Sequence, residues 1–471
     1  MSTLAENLTE MKLSVWGAAQ QVTGSMSLLQ TEGYNILIDC GLDYEKGTYL
    51  DENQHFPFDP SNIDVVILTH AHIDHSGNLP TLIRMGFEGQ ILCTPPTADL
   101  SELLLLDSVN IFLSKQKKKS HGRKKRSGPA PLYLQKHVME TVDRFVTIGF
   151  NKTFQINGNI ALTFVPVGHL LGAAAVVLSI TEHGTTKTIA FTGDIGRKNY
   201  PVLPDPMPLP PVDYLVCEST YGGRLHSTGT TIEQKLIETI TETCIKNPGR
   251  LIIPAFSIGR TQSLVFTLNQ IFSKGLLPPV QIFVDSPLAN YATDVYRKHH
   301  ELVSNEAKTF YQLKGDEFEF ENLTYTHDQK ESKSISNYLE PCIIISSAGM
   351  LEGGRIQDHL YYNIQNYYCT ILFIGFCAKG TLGDRLLRGD PIVRLRNRDL
   401  MVYATIKQTD LLSGHGDHND LMETVRQQPV QQLKKVFLVH GETKSMIAFA
   451  DALQQEGYQV AIPERGETFE L

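Results

Sequence analysis

The sequence predicts an α/β protein: two stacked sheets or a mixed α/β sandwich, joined to a region built on a parallel sheet with flanking helices. Three observations carry that expectation. Over the first 200 residues, short apolar and β-branched runs alternate with helical segments. From Tyr200 to Pro211 six prolines (Pro201, Pro204, Pro206, Pro208, Pro210, Pro211) exclude a helix interior and a central strand, and a domain crossing is placed there. Beyond them the rhythm becomes strand, glycine or proline turn, helix, the pattern of parallel strands with covering helices.

Taken in order, Leu13–Trp16, Ser27–Gln30 and Asn35–Asp39 read as strands, with a turn at Glu32–Gly33. Val65–Leu68 is another β-branched run. Ser76 is expected to cap a helix running through Leu79, Leu82 and Ile83, which Gly86 ends. Leu162–Val167, Ala174–Ile180 and Thr188–Phe191 are strands, the last two joined at His183–Gly184. After the prolines, Leu251–Phe256 leads into a helix from Arg260, and Val280–Asp285 into one near Ala289. Cys342–Ser346 leads through Gly349, Gly353 and Gly354 into a helix near Ile356, and Thr370–Gly375 is the next strand. Those glycines suit a tight strand-to-helix turn or a phosphate cradle at a helix N-terminus.

A length of 471 residues implies two or three domains, and 41% hydrophobic with 20% charged residues suits a globular core. There is no apolar run long enough for a bilayer and no charged-then-apolar leader, so membrane or secretory placement is not expected. The seven cysteines are scattered and form no C-x-x-C pair, as in the reduced interior of a cytoplasmic protein. A net charge of −9 argues against general adhesion to nucleic acid. Charge is segregated, however: Lys115, Lys117, Lys118, Lys119, Arg123, Lys124, Lys125 and Arg126 follow one another without an acid. Such a run is either a solvated loop or an arm that contacts phosphates.

The chemistry concentrates in Thr69-His70-Ala71-His72-Ile73-Asp74-His75, where three imidazoles and a carboxylate follow the Val65–Leu68 strand. A strand that ends in such a loop can aim His70 and His72 at one metal and Asp74 and His75 at a second. Imidazole with carboxylate suits zinc, with iron or manganese as substitutes. A solvated polar turn explains a lone histidine, not four ligand-type residues at this spacing. Three further residues share one placement, an apolar strand, then the residue, then glycine: His169 before Gly172, Asp194 before Gly196, and His440 before Gly441. Asp39 ends an earlier strand and is expected to orient a metal-bound imidazole rather than to be an eighth ligand.

These residues resemble the metallo-β-lactamase fold, an αββα sandwich. The segment between them resembles the β-CASP domain that nucleic-acid-processing members insert. The likeness is carried by Cys217-Glu218-Ser-Thr-Tyr221-Gly, Pro254-Ala-Phe-Ser-Ile-Gly-Arg260, Asp285-Ser-Pro-Leu-Ala289, Ser347-Ala-Gly-Met-Leu-Glu-Gly-Gly354, Gly380-Thr-Leu-Gly383, Ser413-Gly-His415-Gly-Asp417 and His440-Gly-Glu442. It spans nearly the whole chain and is nearest to the RNA endonucleases of the cleavage-and-polyadenylation type and their bacterial relatives.

The resemblance implies a first domain in two parts, 1–208 and 399–471, around a β-CASP domain at 209–398. It implies two zinc ions: His70, His72 and His169 on one, Asp74, His75 and His440 on the other, with Asp194 bridging. Glu218, His415 and His440 correspond to the three β-CASP motifs, and a histidine in the third, where DNA-directed relatives carry valine, points to RNA. No KH domain before the fold and no long extension after it are read, so substrate selection by this chain alone is expected to be loose. The implied activity is hydrolysis of single-stranded RNA, threaded between the two domains and cut internally. A metal-bridging hydroxide attacks phosphorus, His415 serves as general acid and Glu218 holds its tautomer. Arg260 and Arg355 suit either phosphate contact or ion pairing. A single-stranded DNA nuclease and a small-molecule hydrolase of the same fold are the alternatives; a homo-oligomer is compatible with all of them.

Overall fold

A computed structural model of the protein describes residues 11–43, 56–120 and 131–471, the side chains of 114–120 excepted. The chain forms two compact units, one of Met1–Gly196, Pro206–Leu225 and His415–Leu471, the other of Arg197–Asp205 and His226–Gly414.

The first unit contains two seven-stranded sheets among the described residues. In the first, the order is Glu467–Glu470, Lys12–Val15, Ser27–Thr31, Tyr34–Ile38, Val65–Ile67, Gln90–Cys93 and Phe145–Thr147. In the second it is Val460–Ala461, Lys435–Val439, Tyr214–Glu218, Thr185–Phe191, Ala174–Glu182, Ile160–Pro166 and Thr153–Gln155. Alternation along a strand sends successive side chains to opposite faces, and here both faces are apolar. Ile36, Ile38, Val65 and Ile67 meet Phe164, Val176, Leu178, Phe191 and Phe437 of the facing sheet. Leu37, Val66 and Leu68 turn the other way onto Leu79, Leu82, Leu105 and Val109 of the covering helices. Each such side chain contributes about 1.5–3 kcal/mol when fully withdrawn from water. Stacked sheets with helices outside are what the sequence predicted.

Positive φ at His183 (50°) and Gly184 (76°) makes the tight hairpin turn expected there. Ser76 is a correction. It ends a short helix, Ile73–Ser76, and its hydroxyl donates to the carbonyls of Ala71 and His72. Asn78 occupies the cap position of the next helix, Leu79–Arg84, whose first turn is set by Pro80. Serine competes for backbone carbonyls as readily as it caps, so spacing alone placed the cap two residues early.

The second unit is built on six strands, all parallel, in the order Leu323–Tyr325, Gln281–Asp285, Cys342–Ser346, Arg250–Pro254, Cys369–Phe373 and Thr405–Gln408. Ile252, Ile344 and Ile371 pack on Ile356 and Leu360 of one covering helix and on Ile364 just beyond its end, while Ile253, Ile343 and Ile345 are buried on the opposite face. Helices Arg260–Ser273, Pro287–Lys298 and Ile356–Asn363 follow their strands as the glycine and proline punctuation indicated. Lys115–Lys119 fall within the backbone of helix Pro95–Ser120. Their side chains, with His121–Arg126, lie outside the described residues.

Candidate metal centre

All the candidate ligands stand at or just beyond strand ends in the first unit. Asp39 follows Tyr34–Ile38, and His70 and His72 follow Val65–Ile67. Asp74 and His75 ride on the short helix Ile73–Ser76, for which His72 is the cap. His169, Asp194 and His440 follow strands Ile160–Pro166, Thr185–Phe191 and Lys435–Val439. Asp39 (φ 59°) and His440 (φ 53°) take left-handed backbone without being glycine, a conformation held only where surroundings over-determine it. Gly193 is required beside Asp194, because a Cβ there would lie 2.8 Å from the Thr69 Cβ.

Two groups of ligand atoms converge. His70 Nε2 and His169 Nε2 each lie 3.1 Å from His72 Nδ1 and 3.5 Å from Asp194 Oδ2. In the second group, His75 Nε2 is 3.3 Å from both His440 Nε2 and Asp194 Oδ1, and His440 Nε2 is 3.6 Å from Asp74 Oδ2. A tetrahedral ion with Zn–N of about 2.0–2.1 Å separates its ligand atoms by about 3.3 Å, so both clusters have the right edge lengths. Asp194 Oδ1 is buried and accepts no hydrogen bond, as an atom facing a cation would be. The donor set and its spacing therefore fit a pair of metal ions with Asp194 between them.

Electrostatics favour the ligand forms. Burial above all, reinforced by neighbouring imidazoles, holds His70 well below the usual range; burial takes His72 down to about 4. Burial pushes Asp194 up, but His440, His75 and His70 outweigh it and keep the carboxyl well below its ordinary value. Asp74 is likewise held at about 2: burial opposes, and the hydrogen bond and charge of His440, with His75, prevail. His75 goes the other way, raised against burial by Asp194 and Asp39. A positive charge is thus favoured at His75 Nε2, where a metal ion can replace the proton.

Asp39 stands one step behind the ligands. Its Oδ2 takes His75 Nδ1 at 2.7 Å, while Oδ1 accepts the Thr69 amide at 2.8 Å. Glu218 ends strand Tyr214–Glu218; its Oε1 accepts the Ile195 amide at 2.5 Å and His415 Nδ1–H at 3.2 Å. Asp194, Glu218 and His415 form a third close cluster. Within it the Glu218 side chain is fully buried and His415 keeps 17% of its side chain exposed, so the histidine alone meets solvent.

All ten sequence-designated residues lie in this neighbourhood. Thr220 was quoted in the Glu218 motif without a role. Its Oγ1 bonds His440 Nδ1 at 3.0 Å and its amide reaches Glu218 Oε2 at 3.3 Å, joining ligand and dyad. Its position two residues past Glu218 was the available signal. Arg355 is committed to Asp285 at 2.7 Å, and Arg260 lies 4.7 Å over the Phe256 ring.

Three family models match in chain order. They are the metallo-beta-lactamase superfamily at residues 20–238, the Beta-Casp domain at 261–386, and the Zn-dependent metallo-hydrolase RNA specificity domain at 399–463. "Ribonuclease TTHA0252" of Thermus thermophilus is 29% identical over 458 residues, covering 97% of this chain and 99% of that one. The "RNase J-like protein" of Methanocaldococcus jannaschii is 30% identical, covering 93% and 94%. "Transcription termination factor FttA" of Methanosarcina mazei is 29% identical, covering 94% of this chain and 69% of its own. Among solved structures, a protein of unknown function from Enterococcus faecalis V583 shares the fold, with a TM-score of 0.55 at 13% identity over 98% of this chain and 100% of that one. With its paired ligand clusters and three matched domains in order, the chain belongs to the β-CASP ribonuclease family of metallo-β-lactamase-fold hydrolases.

Proposed function

We propose that the protein is a ribonuclease that hydrolyses single-stranded RNA internally, using two zinc ions held by His70, His72 and His169, by Asp74, His75 and His440, and by Asp194 between them. The observation that carries the reading is the His415–Glu218 pair at 3.2 Å beside the bridging carboxylate. A small-molecule hydrolase of this fold has no use for that pair. His415 and His440 both fall within the match to the RNA specificity domain, which supports RNA as substrate.

When bound, the two zinc ions supply charge neutralisation at the phosphoryl oxygens and a lowered pKa for water. The chain's own residues do the rest. Asp39 fixes the ring of His75 through Nδ1, and Thr220 fixes His440 through Nδ1. The attacking water releases one proton to solvent; as its oxygen joins phosphorus and the P–O3′ bond breaks, His415 Nε2 gives its proton to the departing O3′. The neutral ring is left protonated at Nδ1, held by Glu218. The products are a 5′-phosphate and a 3′-hydroxyl. Exposure of His415 lets solvent restore its proton.

No helix among the described residues is long and apolar enough to cross a membrane, and the seven cysteines are free and buried. We place the reaction in the cytoplasm on that chemistry. The direct test supplies zinc-loaded protein with matched single-stranded RNA and DNA oligonucleotides labelled at the 5′ end. A ladder of internal RNA fragments supports the proposal. Labelled mononucleotide alone replaces internal cutting with trimming from the 5′ end, preferential DNA cleavage replaces the substrate, and cleavage of neither moves the activity to small molecules.

A further inference from the structure

The second unit carries an aromatic and basic surface that the hydrolytic centre does not use. Helix Ile356–Asn363 ends in Tyr361 and Tyr362, and the loop that follows holds Tyr367 and Tyr368. The hairpin of Ile392–Leu395 and Arg398–Met401 turns at Arg396–Asn397, both with positive φ (47° and 61°). That turn brings the Arg396 guanidinium to 4.7 Å and 5.4 Å from the ring centres of Tyr361 and Tyr362, with an ion pair to Asp358. The strand leaving the hairpin runs into Tyr403, whose amide donates to Ile364 O at 2.9 Å. Tyr403 then stacks on Tyr367 with ring centres 4.7 Å apart and planes 10° from parallel. These contacts tie the hairpin both to the end of the helix and to the loop that follows it.

The rings are on the outside. Tyr367 is 72% exposed, Tyr362 58% and Tyr403 37%. Packing does not explain tyrosines gathered there, since burying them would be favourable. Arg398, opposite Leu395 on the hairpin face that packs toward helix Ile356–Asn363, is exposed and has no ion pair among the described residues, whereas Arg394 lies on the other face opposite Asp399. With Arg396, Arg398 sets two cations against Asp358, in a chain whose net charge is −9. Flat rings interleaved with arginine are the combination that holds single-stranded nucleic acid: bases stack on the rings, and phosphates take the cations.

We propose that Tyr362, Tyr367 and Tyr403, with Arg396 and Arg398, form a stacking surface that holds a stretch of single-stranded RNA. This rests on the ribonuclease reading and adds a second place where the strand is gripped. A protein partner is the competing occupant, but an arginine over the rings with a second exposed on the same hairpin matches a polyanion better than the charge-depleted core of a protein interface.

The test uses the full-length zinc-loaded chain with Tyr362 and Tyr367 both changed to Ala, or both to Phe. Binding of a fluorescein-labelled uridine 20-mer is measured by anisotropy in a His415→Ala background, and hydrolysis of bis(p-nitrophenyl) phosphate with His415 intact. The alanine pair should lose roughly ten-fold in RNA affinity for each ring. The phenylalanine pair should bind normally, and the small diester should be hydrolysed at an unchanged rate by every variant, which also reports folding. Arg398→Glu should flatten the dependence of RNA affinity on salt. Unchanged RNA affinity in the alanine pair overturns the surface while leaving the nuclease standing. So does a loss accompanied by dissociation of an oligomer in light scattering, which would make the face a contact between copies. Parent protein that neither binds nor cuts RNA overturns the nuclease reading itself.

Discussion

Glu218 holds His415 by its Nδ1, 3.2 Å from Oε1, while the same oxygen accepts the Ile195 amide at 2.5 Å. The carboxylate is thus anchored to the loop that carries Asp194, and the imidazole it orients lies beside the ligand clusters, its ring centre 4.6 Å from that of His169. A buried carboxylate held by the Ile195 and Thr220 amides and facing a part-exposed imidazole is suited to stabilising a ring that gains and loses a proton.

Glu218→Gln tests that division of labour. The amide oxygen can still accept from Ile195, but the charge that steadies a protonated His415 is gone. Turnover on RNA should fall roughly 10–10²-fold, less than the full general-acid contribution, with zinc content unchanged in metal analysis. Loss of zinc in this variant would place Glu218 among the ligands instead.

Asp194 offers Oδ2 to His70 and His169 and Oδ1 to His75, at 3.3–3.5 Å. Asp194→Ala removes the shared oxygen pair and leaves uncompensated imidazoles at a buried site. Metal analysis should return fewer than two zinc ions per chain, with RNA cleavage abolished. A full zinc count would contradict the bridging role.

In the second unit, Asp285 is fully buried and receives four donors: Arg355 at 2.7 Å, His359 and Ser332 at 2.6 Å, and Thr326 at 2.5 Å. Burial pushes its carboxyl up, but these hydrogen bonds outweigh burial and hold it well below the usual range. A depressed folded-state pKa contributes stability above the unfolded value, near about 3.9, and that contribution is lost as pH falls from there toward the folded value. Asp285→Asn should cost about 3–5 kcal/mol at neutral pH. The measurement is hydrogen-exchange protection of strands Gln281–Asp285 and Cys342–Ser346 in both proteins. The gap should be constant at pH 5–7 and narrow below about pH 4; a gap that widens in acid reverses the sign.

What could be read from the sequence follows from where the information lies. The convergence of His169, Asp194 and His440 was legible because each follows an apolar strand shortly before a glycine. The parallel sheet was legible because Leu251–Phe256, Val280–Asp285 and Cys342–Ser346 are each closed by glycine or proline before a helix. Relationships across long separations were not. Nothing local to Arg355 announces Asp285, seventy residues earlier, and Thr220 looks like a turn residue until His440 arrives 220 residues later. Ser76 shows the limit at short range, where two carbonyl partners compete with a cap. The face of Tyr362, Tyr367 and Tyr403 has no sequence signature because a hairpin turn and a backbone bond to Ile364 assemble it.

The most direct measurement is His415→Ala beside the parent protein, each assayed for bound zinc and for cleavage of labelled single-stranded RNA. Expected are two zinc ions in both proteins and cleavage slower by roughly 10²–10⁴-fold in the variant, the share of a general acid. Parent-like cleavage by the variant would remove His415 from the reaction, and with it the reason for reading this centre as a nuclease site.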